Sequence, residues 1–113
     1  MNLANPGDTV NVGQGTFSEL VNVNKQLFLQ GNQFGVDGQA AARAAALPAT
    51  ETVVSGNAGT TSFFVTASGV VLDGFTVQGQ TNVNQFGAGI VLGAGTNGSQ
   101  VRNNIVQNNV AGL

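Results

Sequence analysis

Residues 70–77, Val-Val-Leu-Asp-Gly-Phe-Thr-Val, contain two short apolar runs joined by an Asp-Gly turn. In the second run Phe75 and Val77 alternate with a polar residue, which is typical of a strand with one buried face. A similar arrangement occurs where residues 21–23 are followed by residues 27–29, and less regularly in residues 101–106. Repetition of a strand–turn–strand unit at intervals of roughly 20–50 residues predicts a solenoid whose coils stack on one another.

The composition excludes several classes of protein. The chain has 113 residues, of which only 7% are charged, and its 17 glycines suit a structure with many turns. It contains no run of about 18 apolar residues, so we expect no membrane insertion. Its three basic residues, Lys25, Arg43 and Arg102, are scattered and the net charge is −2, so no nucleic-acid partner is expected.

The chain contains no cysteine and no histidine. Thiol nucleophiles, imidazole bases, zinc clusters and haem ligation by these residues are therefore excluded, and we predict no cofactor. Only carboxylates, hydroxyls and the three cations remain to carry chemistry. Met1 is followed by neither a basic region nor a long apolar stretch, so no signal peptide is visible.

The alternating segments can be aligned as the three sides of a coil. Because the aligned positions are mostly apolar, stacked parallel strands would bury them. The predicted columns are Val10/Val12 with Phe63/Val65, Ile90/Leu92 and Ala111/Leu113; Val21/Val23 with Val70/Leu72 and Val101; and Leu27/Leu29 with Phe75/Val77 and Asn104/Val106.

An alanine-rich run interrupts this rhythm. It is preceded by Asp37, a possible helix cap, and followed by Pro48, so the sequence predicts a short helical excursion at about residues 38–47. Two interpretations of Arg43 within it stay open: a pair with Asp37 or Glu51 that pins the excursion to the body, or a solvated cation. The Val53-Val54 segment that follows is predicted to be a strand, with its place in the coil undecided.

Several motifs resemble those of right-handed parallel β-helix proteins of the pectin-lyase-like superfamily. They are Pro-Gly-Asp-Thr-Val-Asn-Val at residues 6–12, Gly-Thr-Phe-Ser-Glu at 15–19, residues 21–31, residues 71–79, Gly89-Ile90 and residues 103–109. The resemblance covers most of the chain outside about residues 32–50. It implies a right-handed three-sided parallel β-helix, a handedness that parallel crossovers favour generally. The same fold carries lyases, hydrolases, epimerases, tail spikes, adhesins and non-catalytic repeat modules.

The five acidic residues are the candidates for a catalytic or calcium-binding site. A calcium-dependent lyase site needs several converging carboxylates, and a hydrolase of the polygalacturonase kind needs two or three acids about 5–10 Å apart. The five acids are scattered, and structural roles explain three of them: Asp8 and Asp73 would cap turns, and Asp37 precedes the predicted helix. We therefore predict no catalytic residues and no metal site.

Asparagines are expected to have structural roles. Asn104 would point inward beside Phe75 and form a ladder with backbone groups. Asn97-Gly98-Ser99 fits both a glycosylation acceptor and a tight Asn-Gly turn, of which we favour the turn.

The sequence thus predicts an all-β fold, a three-sided parallel β-helix over residues 1–113 as one segment, with both ends uncapped. Uncapped ends expose apolar side chains and strand edges, which favours head-to-tail addition of further copies. The residues predicted to make this contact are Val10, Val12, Val106 and Leu113. The predicted function is a non-catalytic structural segment of a secreted or cell-surface repeat protein that stacks into oligomers or filaments.

The alternative is a carbohydrate-binding module, or a fragment of a polysaccharide lyase or hydrolase. Asn and Gln side chains suit sugar hydroxyls, and the partner would be a polysaccharide. Against it, the chain has no Trp or Tyr to form the aromatic platforms usual in such sites.

Overall fold

The computed structural model describes residues 5–40, 43, 50–56, 61–81 and 87–110. Within these residues the fold is all-β, and no α-helix is found there. Most strands are three residues long and many contain the β-branched residues that suit a pleated surface. The strands are β1 Thr9–Asn11, β2 Gly15–Phe17, β3 Val21–Val23, β4 Phe28–Gln30, β5 Thr52–Val54, β6 Thr61–Val65, β7 Val71–Asp73, β8 Phe75–Gln78, β9 Ala88–Leu92, β10 Gln100–Arg102 and β11 Ile105–Gln107.

The strands form three parallel sheets. Sheet A has the order β1-β4-β7-β10, sheet B the order β11-β8-β5-β2, and sheet C the order β3-β6-β9. Successive strands visit the three sheets in turn, so each set of three contributes one strand to every sheet. We call these sets rungs: rung 1 is β1–β3, rung 2 is β4–β6, rung 3 is β7–β9 and rung 4 is β10–β11. This arrangement fits a three-sided parallel β-helix.

The register corrects part of the predicted alignment. Val10 is paired with Leu29 rather than with Phe63, and Val21 with Phe63 rather than with Val70. Leu29 pairs with Leu72 rather than with Val77. The physical reason is strand β2, which the sequence analysis did not predict. Without it, β3 and β4 were each assigned to the wrong side of the coil. Later pairs agree with prediction: Phe63 with Ile90, Leu72 with Val101, and Val77 with Val106.

The core lies between the three sheets. Its buried members come mainly from rungs 2 and 3 and are Val23, Leu27, Leu29, Val54, Phe63, Val65, Val70, Leu72, Phe75, Val77 and Ile90. Phe63 and Phe75 pack edge to face, with ring centroids 5.1 Å apart and an interplanar angle of 65°. Half-buried apolar residues of rungs 1 and 4, among them Val10 and Val106, pack against this core.

A long insertion separates β4 from β5 in rung 2. The predicted helix at residues 38–47 falls in it, and the prediction is wrong for the residues that the structure describes. Residues 38–40 form a turn, in which the Ala40 amide donates to the Asp37 carbonyl and the Asp37 carboxylate accepts from the Gln39 amide. The segment forms these local bonds in place of a helical turn. The side chain of Arg43 points into the protein and is fully buried, and is not exposed on a solvated helix. Residues 41–42 and 44–47 lie outside the described residues.

The outer face of sheet B is buried, and Arg43 of the insertion bonds there to Glu51 and to the Phe75 carbonyl. Val54 and Val77 face the core, so by alternation Val53 and Thr76 face outward, yet both are at most 2% exposed. The insertion also contacts the turn between β7 and β8. Gly74 has φ +85°, and a Cβ there would lie 2.1 Å from the Phe34 amide nitrogen, so only glycine allows this approach.

Candidate functional site

Arg43 is the centre of a buried polar cluster. Its side chain is 0% exposed, although it belongs to the insertion rather than to a strand. Nε and Nη2 each donate to a different oxygen of Glu51 at 2.9 Å, and Nη2 also donates to the Phe75 carbonyl at 3.3 Å. Nη1 donates to the carbonyls of Val36 and Asn103. A guanidinium has five N–H groups, so this set of bonds uses its full donor capacity.

Glu51, directly before β5, is the anionic half of the pair and is also fully buried. Besides Arg43, its Oε1 accepts a hydrogen bond of 2.6 Å from the Thr76 hydroxyl on β8. Of the two sequence interpretations of Arg43, pairing with Glu51 is confirmed and the solvated cation is wrong. The pair joins the insertion to rung 2 through Glu51, to rung 3 through Phe75 and to rung 4 through Asn103.

Asp73, at the end of β7, organises a second set of contacts and is 4% exposed. It accepts hydrogen bonds from the Gly35 amide at 2.9 Å, from Asn103 Nδ2 at 3.0 Å and from Arg102 Nε at 2.9 Å. Burial by itself would raise the pKa of Asp73, but these three bonds and the charge of Arg102 hold the pKa below its ordinary value of 3.8. The carboxylate therefore stays ionised and ties the insertion and rung 4 to rung 3.

We expect Asp73 to make the stability depend on pH. Its pKa is lower in the folded chain than in the unfolded one, so its contribution is present above pH 3.8 and is lost as the pH falls below 3.8 through the folded value. Asp73→Asn should lower the free energy of unfolding at pH 7 by about 1–2 kcal/mol. Urea unfolding at pH 7 and pH 3 should show this difference shrinking in acid, whereas an equal difference at both values would contradict the assignment.

The other acidic residues lie apart from this cluster. Asp8 accepts from the Asn5 amide at 2.8 Å, as expected for a turn cap, and Asp37 caps the Gln39 amide. Glu19 is exposed in rung 1. Across the part of the chain that the structure describes, no group of three or more His, Cys, Asp or Glu side chains could hold a metal ion.

Two asparagines of rung 4 bridge the backbone of rung 3 in the same way. Asn104 Oδ1 accepts from the Phe75 amide at 2.8 Å, and its Nδ2 donates to the Leu72 carbonyl at 3.0 Å. Asn109 makes the equivalent bonds to the Gln80 amide and the Val77 carbonyl. The predicted backbone ladder of Asn104 is confirmed, and Asn109 extends it to the next turn.

A polar groove of about 590 Å³ runs beside the cluster, between residues 37–39 of the insertion and residues 103–105 of rung 4. The amides of Asn103 and Asn104 already bind Asp73 and the backbone. The carboxylate of Asp37 and the side chain of Gln39 are exposed at its edge. The groove was not visible in the sequence because an insertion forms one of its walls.

The residues predicted to mediate stacking lie at opposite edges of the fold. Val10 is in β1 and Val12 directly follows it, whereas Val106 is in β11, and all three are half-buried. Leu113 lies outside the described residues. The structure thus places Val10 and Val12 in rung 1 and Val106 in rung 4, and does not bring the two groups together.

Comparison with known proteins gave no match: no protein-family model, no curated protein and no solved structure is similar to this chain. A search of the described residues for a helix long and apolar enough to cross a membrane also found none.

Proposed function

We propose that this chain is a structural β-solenoid segment, a right-handed three-sided parallel β-helix related to the pectin-lyase-like superfamily, that associates end to end with further copies. It would act without catalysis as part of a secreted or cell-surface repeat protein. The handedness and the family relationship rest on the sequence motifs, and three parallel sheets are compatible with them.

The observation that carries the proposal is the contrast between inner and outer rungs. Leu29 of rung 2 is 1% exposed, whereas its partner Val10 in rung 1 is half-buried. At the other side, Val77 of rung 3 is 0% exposed, whereas its partner Val106 in rung 4 is half-buried. Rungs from further copies would bury both outer layers and pair with β1 and β10, which lie at the two ends of sheet A.

The polar cluster supports a structural role as well. Glu51 and Asp73, the two buried acids, are each bound to an arginine and to further donors. Groups held in this way fasten the rungs to one another, which is what a stacked structural element requires.

Sedimentation velocity over a hundredfold range of concentration tests the proposal. We expect the wild-type chain to form larger species as concentration rises, and Val12→Lys or Val106→Lys to remain monomeric because each places a charge in the interface. Thr9→Lys, at an exposed position of β1, is the control and should assemble like the wild type.

Mixing the two lysine variants tests the polarity of the contact. In a head-to-tail interface, Val12→Lys keeps a functional rung 4 and Val106→Lys keeps a functional rung 1, so the mixture should form dimers that grow no further. Wild-type chains that sediment as a single monomer at all concentrations would refute stacking.

The alternative function, binding of a polysaccharide, is favoured by one observation, the polar groove between residues 37–39 and 103–105. Carboxamide and carboxylate groups at its edge suit sugar hydroxyls. A monomeric chain that binds a polysaccharide array with micromolar affinity would place this function ahead of the structural one.

A further inference from the structure

The rung 1 end of the fold contains an open apolar pocket of about 140 Å³, which we call the rung 1 cup. Its floor consists of Leu29, Val54, Phe63 and Phe75, which are each at most 3% exposed. Its walls are formed by residues of rung 1, including Phe17, which is 37% exposed, and the half-buried Val12 and Val21. Because the exposed side chains all belong to rung 1, the cup opens on that side.

One interior column next to the cup lacks apolar side chains in two rungs. Gly15, Thr52 and Phe75 are paired in register across sheet B. Phe75 fills its position in rung 3, but the Thr52 hydroxyl binds the carbonyls of Val12 and Gly13 at 2.9 Å, and Gly15 has no side chain. In this column Phe75 is therefore followed by a short polar side chain and then by a residue without one.

The surroundings of the cup specify the chemistry of an occupant. Three phenyl rings border it, and two of them, Phe63 and Phe75, already pack edge to face. The aromatic ring of a ligand bound above Phe63 and Phe75 could adopt the same favourable edge-to-face geometry. A dry apolar cavity of about 150 Å³ is large enough to bind benzene. Glu19 also borders the cup, which disfavours an anionic ligand.

We propose that the rung 1 cup binds one small neutral aromatic ring, between benzene and toluene in size. The cup opens on the side of rung 1 that the proposed stacking would cover, so the inference concerns the single chain and is tested on monomeric protein.

Titration of the ¹³C-methyl-labelled chain with toluene, followed by NMR at a concentration where the protein is monomeric, tests the proposal. We expect saturable one-to-one shifts of the Val12, Val21, Leu29 and Val54 methyl groups. The methyl groups of Val101 and Val106 in rung 4 should not shift. Absence of saturable shifts up to the solubility limit of toluene would overturn the proposal.

Variants that fill the cup provide the second arm. Val21→Phe adds a ring to its wall and should weaken toluene binding at least tenfold, and Val54→Leu, which adds one methylene to the floor, should weaken it less. Asn22→Phe adds the same ring at the neighbouring, exposed position and should bind toluene like the wild type. Dispersed methyl spectra show that each variant is folded, and unchanged affinity in both filled variants would overturn the site.

Two further ligands test the chemistry. Benzoate should bind at least tenfold more weakly than toluene, since it brings a charge to the apolar cup beside Glu19. Cyclohexane has a similar volume without the aromatic quadrupole and should also bind more weakly. If cyclohexane or benzoate binds as tightly as toluene, the assignment of a neutral aromatic ligand is wrong.

Discussion

Arg43→Met is expected to lower the free energy of unfolding by about 3–5 kcal/mol, the usual effect of removing one partner of a buried ion pair. The substitution keeps most of the volume of the side chain but leaves the carboxylate of Glu51 buried without its cation. It also removes the donors that reach the carbonyls of Val36, Phe75 and Asn103. Urea unfolding followed by circular dichroism measures the loss.

Arg102→Met is the matched control, because it makes the same change in a second ion pair, that of Arg102 with Asp73. The side chain of Arg102 is 53% exposed, and Asp73 keeps its bonds from Gly35 and Asn103 when Arg102 is removed. We expect a loss of only about 1 kcal/mol. Equal losses in the two variants would show that the Arg43 pair is not buried as described.

A double variant separates the cost of an unpaired charge from the value of the pair. Replacing both partners, Arg43→Met with Glu51→Leu, leaves no buried charge behind. Apolar replacements of a buried pair are often close to neutral, so much of the stability lost in Arg43→Met should return. If the double variant is as unstable as the single one, the pair itself and its bonds to the backbone supply the stability.

Phe75→Ala should destabilise the fold by about 3–5 kcal/mol, because it removes a buried aromatic ring and leaves a cavity in the core. Phe75 is 2% exposed, packs edge to face on Phe63 and lies in rung 3, between the sheets. The loss is a large part of the roughly 5–15 kcal/mol by which domains of this kind are stable. Thermal and urea unfolding provide the measurement.

Phe64→Ala is the control for this prediction. Phe64 lies on the outer face of sheet C and is 37% exposed, so its removal creates no interior cavity. We expect a loss of about 1 kcal/mol or less. A loss as large as that of Phe75→Ala would mean that the face of sheet C carrying Phe64 is covered.

Much of the local structure could be predicted from the sequence. The alternation in residues 75–77 marks a strand, and the Asp73-Gly74 step marks a turn. The backbone role of Asn104 was also predictable, because a short amide side chain at a turn has backbone groups as its nearest partners. Strand β2 was missed because Gly15 has no side chain, so Gly15-Thr16-Phe17 shows no alternation of apolar and polar residues.

The candidate site was predictable only in part. Arg43 could be matched with Asp37 or Glu51 from its sequence neighbours alone, and the structure selects Glu51. The contacts of Asp73 with Gly35, Arg102 and Asn103 join residues that are 38, 29 and 30 positions away in the chain. No local pattern encodes such pairs.

The sequence by itself determined that this chain forms short strands, tight turns and an apolar interior, since each of these follows from the size, branching and polarity of near neighbours. Only the tertiary structure decided which strands are paired, where the insertion lies and which charges meet. Because the rungs differ in length, residues that are paired across a sheet lie at irregular separations in the chain. These range from 19 residues between Thr9 and Phe28 to 43 between Phe28 and Val71. The register is therefore set by stacking of the apolar interior and by the buried pairs that lock it.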